Sequence, residues 1–142
     1  GAELDLKVLS LSEINQDAIR TRNYEMILFG NNIGRSPDLF SFWHSSERFY
    51  PGLNLSLYEN KTVDGLIDSI RKDFNESRRD QKLATLQSMI IEEQPAVFLY
   101  SPNYLCITKN GLNGFDEKYI PLASDRFQNV EKWYIKTARV FK

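Results

Sequence analysis

The stretch Tyr24-Glu25-Met26-Ile27-Leu28-Phe29-Gly30-Asn31-Asn32-Ile33-Gly34-Arg35-Ser36-Pro37-Asp38 decides the fold class. Its first half is a short apolar run of bulky residues, the pattern of a strand buried on both faces in a parallel sheet. Its second half consists of loop formers: glycines that tolerate positive φ, a proline that presets φ, and Asn and Asp side chains that bond nearby backbone. Upstream, Leu4-Asp5-Leu6-Lys7-Val8-Leu9 alternates apolar and polar residues, a strand with one face inward. Ser12 is a candidate N-cap for a short helix with Ile14, Ala18 and Ile19 on one face. Strand, helix and strand within about thirty residues make a βαβ unit with parallel strands and a right-handed crossover. The polar loop then sits at the carboxyl end of a strand, where open α/β sheets bind ligands. The competing reading is a plain connection whose glycines serve only the turn.

Farther along, Leu39-Phe40-Ser41-Phe42-Trp43 reads as a short helix. Asn60 is placed to cap a second, with Val63, Leu66, Ile67, Ile70 and Phe74 at helical spacing. Asn75 is placed to cap a third, whose buried stripe is Leu83, Leu86, Met89 and Ile90; Pro95 ends it, because the residue before proline disfavours helix. These stripes read as core. Residues 96–100 form another continuous apolar run, a buried strand, and 104–108 extend again after a Ser101-Pro102-Asn103 turn. Asn110-Gly111 and Asn113-Gly114 are turn signals, and a strand is expected near 133–140.

With 142 residues the chain can bury a sizeable core as one domain, residues 1–142, without internal repeat or boundary. A net charge of −1 argues against a nucleic-acid partner. Arg71-Lys72 and Arg78-Arg79 flank a junction that also holds Asp73, Glu76 and Asp80, a solvated surface of mixed charge. Cys106 is the sole cysteine, so no internal disulfide forms and no cysteine cluster holds a metal. No run is long enough to cross a bilayer, and the start lacks the features of a signal peptide.

Catalytic options are thin. His44 is the only histidine; its neighbours Ser45 and Ser46 lack an orienting acid or an oxyanion site that sequence could identify. Glu92-Glu93 and Asp116-Glu117 are adjacent pairs that do not face each other. No phosphate-cradle spacing and no set of metal ligands is present, so no cofactor and no enzymatic activity are expected. Binding suits the residues better: Asn31 and Asn32 each carry donors and acceptors, and Gly30 and Gly34 admit close approach to the backbone. Such a loop can bond a peptide main chain without reading its side chains.

The order of several motifs adds a resemblance. Residues 24–38, then Phe42-Trp43-His44-Ser45-Ser46, Gly52-Leu53-Asn54-Leu55-Ser56-Leu57-Tyr58-Glu59-Asn60, Val63-Asp64, Gln94-Pro95-Ala96-Val97-Phe98-Leu99-Tyr100 and Phe127-Gln128-Asn129-Val130-Glu131-Lys132-Trp133-Tyr134 fall in a familiar sequence. Together they resemble the C-terminal lobe of extracellular solute-binding protein family 5, the peptide and nickel receptors of bacterial ABC importers. The resemblance implies a three-layer α/β lobe with a mainly parallel sheet, part of a two-lobed, class II periplasmic-binding-protein-like fold. It implies a chain that is one piece of a longer protein, with the N-terminal lobe missing, working outside the membrane in the periplasm or as a lipoprotein at the cell surface. The implied function is capture of oligopeptides or dipeptides for a membrane permease.

In that family the glycine loop lines the cleft, often with Trp after the glycine and Asp a few residues on to meet the peptide's α-amino group. Asn31 stands at the aromatic position here and Ser36 at the acidic one, which leaves Asp38 or the other lobe to supply the charge. Asn54 matches a family asparagine and reads equally as a turn residue; Tyr100 reads as ligand contact or core. The candidate ligand-binding set is therefore Gly30, Asn31, Asn32, Gly34, Ser36, Asp38, Asn54 and Tyr100. Two other readings stay open: a sensory domain of a regulator, and a receptor for a non-peptide solute such as a nickel chelate or an oligosaccharide.

Overall fold

Asn60 and Asn75 start the two longest helices as their side chains dictate. The Oδ1 of Asn60 accepts the backbone N–H of Thr62 at 2.8 Å and of Val63 at 3.2 Å, and the Oδ1 of Asn75 accepts that of Arg78 at 3.0 Å. The computed structural model describes residues 1, 3–34 and 38–135. Its helices are α1 (Leu11–Glu13, continuing as a π-helical segment Ile14–Ile19), α2 (Phe40–Trp43), α3 (Lys61–Lys72) and α4 (Glu76–Glu93). The described residues divide into two compact units. One comprises Gly1–Phe29 and Asp38–Phe98, the other the described residues of Gly30–Pro37 and Leu99–Lys142.

The core of the first unit is Tyr58, Val63, Ile67, Ile70, Leu86 and Ile90, with Leu39, Phe40, Trp43, Leu66, Leu83 and Met89 packed around it. Every residue of α3 and α4 in this set belongs to the stripes read from the sequence; Phe74, read into the first stripe, instead lies past the end of α3 and is 99 % exposed. The reason is the end of the helix itself: Asp73 is already extended (φ −92°, ψ 114°), so the helical spacing that would turn Phe74 inward no longer applies. Gln94 closes α4 in the left-handed conformation (φ 51°), immediately before Pro95. Ser10, rather than Ser12, caps α1, because Glu13 reaches back to the Ser10 N–H at 2.8 Å and completes a capping box.

The second unit holds β1 (Leu112–Asn113) and β2 (Tyr134–Ile135), paired antiparallel, the only strand pairing among the described residues. Phe115 and Phe127 pack against Trp133, with ring centroids 5.4 and 5.7 Å apart. The strand expected near 133–140 is present as β2, and residues 136–142 lie outside the described residues.

The mainly parallel sheet is not formed by the described residues. Segments 4–9, 24–29, 96–100 and 104–108 carry the apolar residues of strands but join no ladder. A strand, unlike a helix, has no backbone hydrogen bonds of its own and needs neighbours on its edges. Here Leu28 is 81 % exposed and Val97 83 %. The feature that read as burial on both faces is an exposed apolar run.

Candidate functional site

The loop after residue 29 opens onto solvent. Gly30, Asn31 and Asn32 are exposed, and a Cβ at Gly30 would meet nothing within 4 Å. Gly34 has φ +69°, a conformation that favours glycine; the turn at this point does depend on it. Within the second unit the loop is held at two points. The Asn32 amide donates to the Pro121 carbonyl while its Oδ1 accepts the Gly34 N–H at 2.9 Å, and the Tyr119 hydroxyl donates to the Gly34 carbonyl at 3.0 Å. Asn32 is therefore engaged with its own chain, whereas the Asn31 side chain has no hydrogen-bond partner among the described residues. Tyr100, in the same unit, is 84 % exposed among the described residues. Ser36 lies outside the described residues.

Asp38 and Asn54 belong to the first unit and differ sharply. Asp38 is exposed at the start of α2: its Oδ1 accepts the Phe40 N–H at 3.2 Å and its Oδ2 lies 3.5 Å from Nε of Arg71 on α3. Asn54 is fully buried. Its amide donates to the carbonyls of His44 (3.1 Å) and Tyr58 (2.9 Å), and its Oδ1 accepts from the Tyr58 N–H and the Ser56 hydroxyl, both at 3.1 Å. Two donors and an acceptor with two lone pairs are all used, which is the turn role of the two that sequence left open. A ligand could meet this side chain only by displacing those bonds.

The turn that Asn54 closes also holds His44. Ser46 donates its N–H to Nδ1 of His44 at 3.1 Å, and its hydroxyl lies 2.8 Å from the same nitrogen. Asp64, buried at the start of α3, has Oδ1 3.9 Å from that nitrogen and is bonded by the Ser45 N–H (2.8 Å) and hydroxyl (2.5 Å). Burial alone would raise the Asp64 carboxyl, but the Ser45 bonds, His44 and Lys61 outweigh it and hold the group below the usual range. A nucleophile–base–acid relay needs one imidazole nitrogen for the nucleophile and the other for the acid. Here a single nitrogen faces both, so the histidine is a cap and packing residue, its ring stacked on Phe40 at 4.3 Å. Among the described residues no group of three or more His, Cys, Asp or Glu converges as for a metal ion, and no helix is long and apolar enough to cross a membrane.

Sequence reasoning missed four participants. Arg71 reads as one charge of a solvated surface, yet it reaches Asp38 and lies 4.4 Å over the Phe40 ring. Tyr119 and Pro121 anchor the glycine loop from some ninety residues away, and no local pattern signals such a contact. Arg22, with φ 57°, ties the end of the first helical segment to the carbonyls of Arg48 (2.7 Å) and Gly52 (2.6 Å).

No protein-family model matches the chain. It is 27 % identical over 113 residues to the oligopeptide-binding protein AppA of Bacillus subtilis, a match covering 80 % of this chain and 20 % of that protein. The structure of AppA in complex with a nonapeptide superposes with a TM-score of 0.71 at 25 % identity, covering 96 % of this chain and 26 % of that one. The chain thus spans about a fifth to a quarter of the length of the relative it matches. Over these residues it is homologous to an oligopeptide-binding protein.

Proposed function

We propose that this chain is part of the C-terminal lobe of a substrate-binding component of an ABC importer, which captures oligopeptides outside the membrane and hands them to a permease. The observation that carries the reading is the superposition of nearly the whole chain on a peptide-bound oligopeptide-binding protein. The loop of Gly30, Asn31, Asn32 and Gly34, exposed at the first three of these, supports it, since main-chain amides and an Asn side chain can bond a peptide backbone regardless of sequence. Ser36 and Tyr100 belong to the same proposed wall. The N-terminal lobe would supply the opposite wall, and closure about a hinge would trap the peptide. The exposed runs at 4–9, 24–29, 96–100 and 104–108 are then strands of the mainly parallel sheet, paired with polypeptide outside this chain. No covalent chemistry is assigned, and the protein would act in the periplasm or anchored at the cell surface.

Calorimetry with a nonapeptide on the natural full-length protein and on the 142-residue chain tests this. We expect micromolar or tighter binding by the former and at least about a hundredfold weaker binding by the latter, since each wall contributes part of the contact energy. Equal affinities would overturn the two-walled site. Mass spectrometry of the full-length protein as purified should find peptides, and a non-peptide solute there would overturn the substrate class.

A further inference from the structure

We propose that Tyr119 is a positioning residue for the peptide wall: with Asn32 it clamps the Gly34 peptide unit and fixes the glycine loop in a shape that leaves residues 30–33 free to bond a ligand. The inference rests on the peptide-binding reading above. It concerns the second unit alone, to which Asn32, Gly34, Tyr119 and Pro121 all belong. Gly34 is held from both sides. Its N–H donates to Oδ1 of Asn32 at 2.9 Å, and its carbonyl accepts the Tyr119 hydroxyl at 3.0 Å. The Asn32 amide is tied in turn to the Pro121 carbonyl, so one distant segment grips the loop at two points.

Gly34, at φ +69°, has no side chain to restrain the turn, and glycine gives up the most freedom on ordering. In an unanchored loop that freedom would be lost only on binding, and the affinity would fall with the share of loops not already in the competent shape. The clamp orders the turn beforehand. What it leaves available are the N–H groups of Gly30, Asn31, Asn32 and Ile33 and the Asn31 side chain, none of which has a hydrogen-bond partner among the described residues. Asn32, with its amide and its Oδ1 both engaged within the chain, is a strut. Asn31 is the side chain that meets the ligand.

The test measures association and dissociation rates of two nonapeptides of unrelated sequence on the natural full-length protein. Tyr119→Phe removes only the hydroxyl. It should weaken both peptides by the same factor, about fivefold, the size of one net hydrogen bond. The loss should fall on the association rate, because fewer loops are competent, and leave the dissociation rate unchanged. Asn32→Ala should behave alike, and the double variant should lose no more than about what Asn32→Ala loses, because both residues hold one peptide unit. An unchanged affinity in Tyr119→Phe would overturn the proposal. So would a loss confined to one peptide, a faster dissociation or additive losses in the double variant, each the mark of a direct ligand contact. Failure of the wild-type protein to bind either peptide would instead overturn the peptide-binding reading, and this inference with it.

Discussion

Asn54 illustrates how far a single residue can be read. Its place after Gly52-Leu53 marks a turn, but nothing local distinguishes a turn asparagine from one facing a ligand. The difference lies in burial and in the carbonyls of His44 and Tyr58, which fold onto the side chain from both ends of the turn. Replacing Asn54 with Ala would leave the Tyr58 carbonyl and N–H unpaired in a dry environment, while the His44 carbonyl keeps the Glu47 N–H and loses one of its two donors. We expect a loss of roughly 3 kcal/mol of stability, given costs of about 1–3 kcal/mol for each unsatisfied buried group and partial relaxation. Urea denaturation of the two proteins measures it. Asn54→Asp should be at least as damaging, because a carboxylate keeps the acceptor and loses both donations. If Asn54→Ala instead left stability intact and abolished peptide binding, the side chain would be a ligand contact.

The helices were the legible elements, for a physical reason. A helix contains its own hydrogen-bond ladder, so spacing and caps suffice to locate it: Asn60 and Asn75 cap where the pattern placed them, and Val63, Ile67, Ile70, Leu86 and Ile90 are buried. Their junction has a further lock that spacing cannot reveal. Asp73 accepts from Nζ of Lys82 at 2.8 Å, from the Asn75 N–H at 3.0 Å and from Arg78 at 3.1 Å, while Lys82 also reaches the Ser69 hydroxyl at 2.7 Å. The Lys82 bond, followed by the Asn75 amide and Arg78, holds the Asp73 carboxyl at about 2 against an ordinary 3.8. A pKa depressed on folding adds stability at pH values above the ordinary one and loses it as pH falls toward the folded one. The α3–α4 junction should therefore weaken between about pH 4 and pH 2, and Asp73→Asn should flatten that part of the stability profile. Thermal melts across this range, wild type against variant, check it; parallel profiles would assign the acid sensitivity to other groups.

The strands are decided at the scale of the whole molecule. An apolar run such as 24–29 or 96–100 states that a segment avoids water, not which backbone it pairs with. Its ladder lies on other strands, distant in sequence or on another stretch of polypeptide. Leu6, Val8, Met26, Leu28, Val97, Leu99, Leu105 and Ile107 are all exposed among the described residues, more apolar surface than a free-standing domain ordinarily presents. Unpaired apolar strands are also templates for association with other chains. If the proposed sheet is completed by polypeptide outside residues 1–142, those segments should exchange their amide hydrogens at least about tenfold more slowly in the natural full-length protein than in the 142-residue chain, because ladder bonds protect amides. The shorter chain should also bind an apolar fluorescent dye that the longer one excludes. The amides of α3 and α4 serve as the control, since their bonds are internal to the helices and should be protected in both proteins. Equal exchange at 24–29 and 96–100 in the two proteins, with α3 and α4 protected in each, would mean that these runs are covered by something other than a sheet.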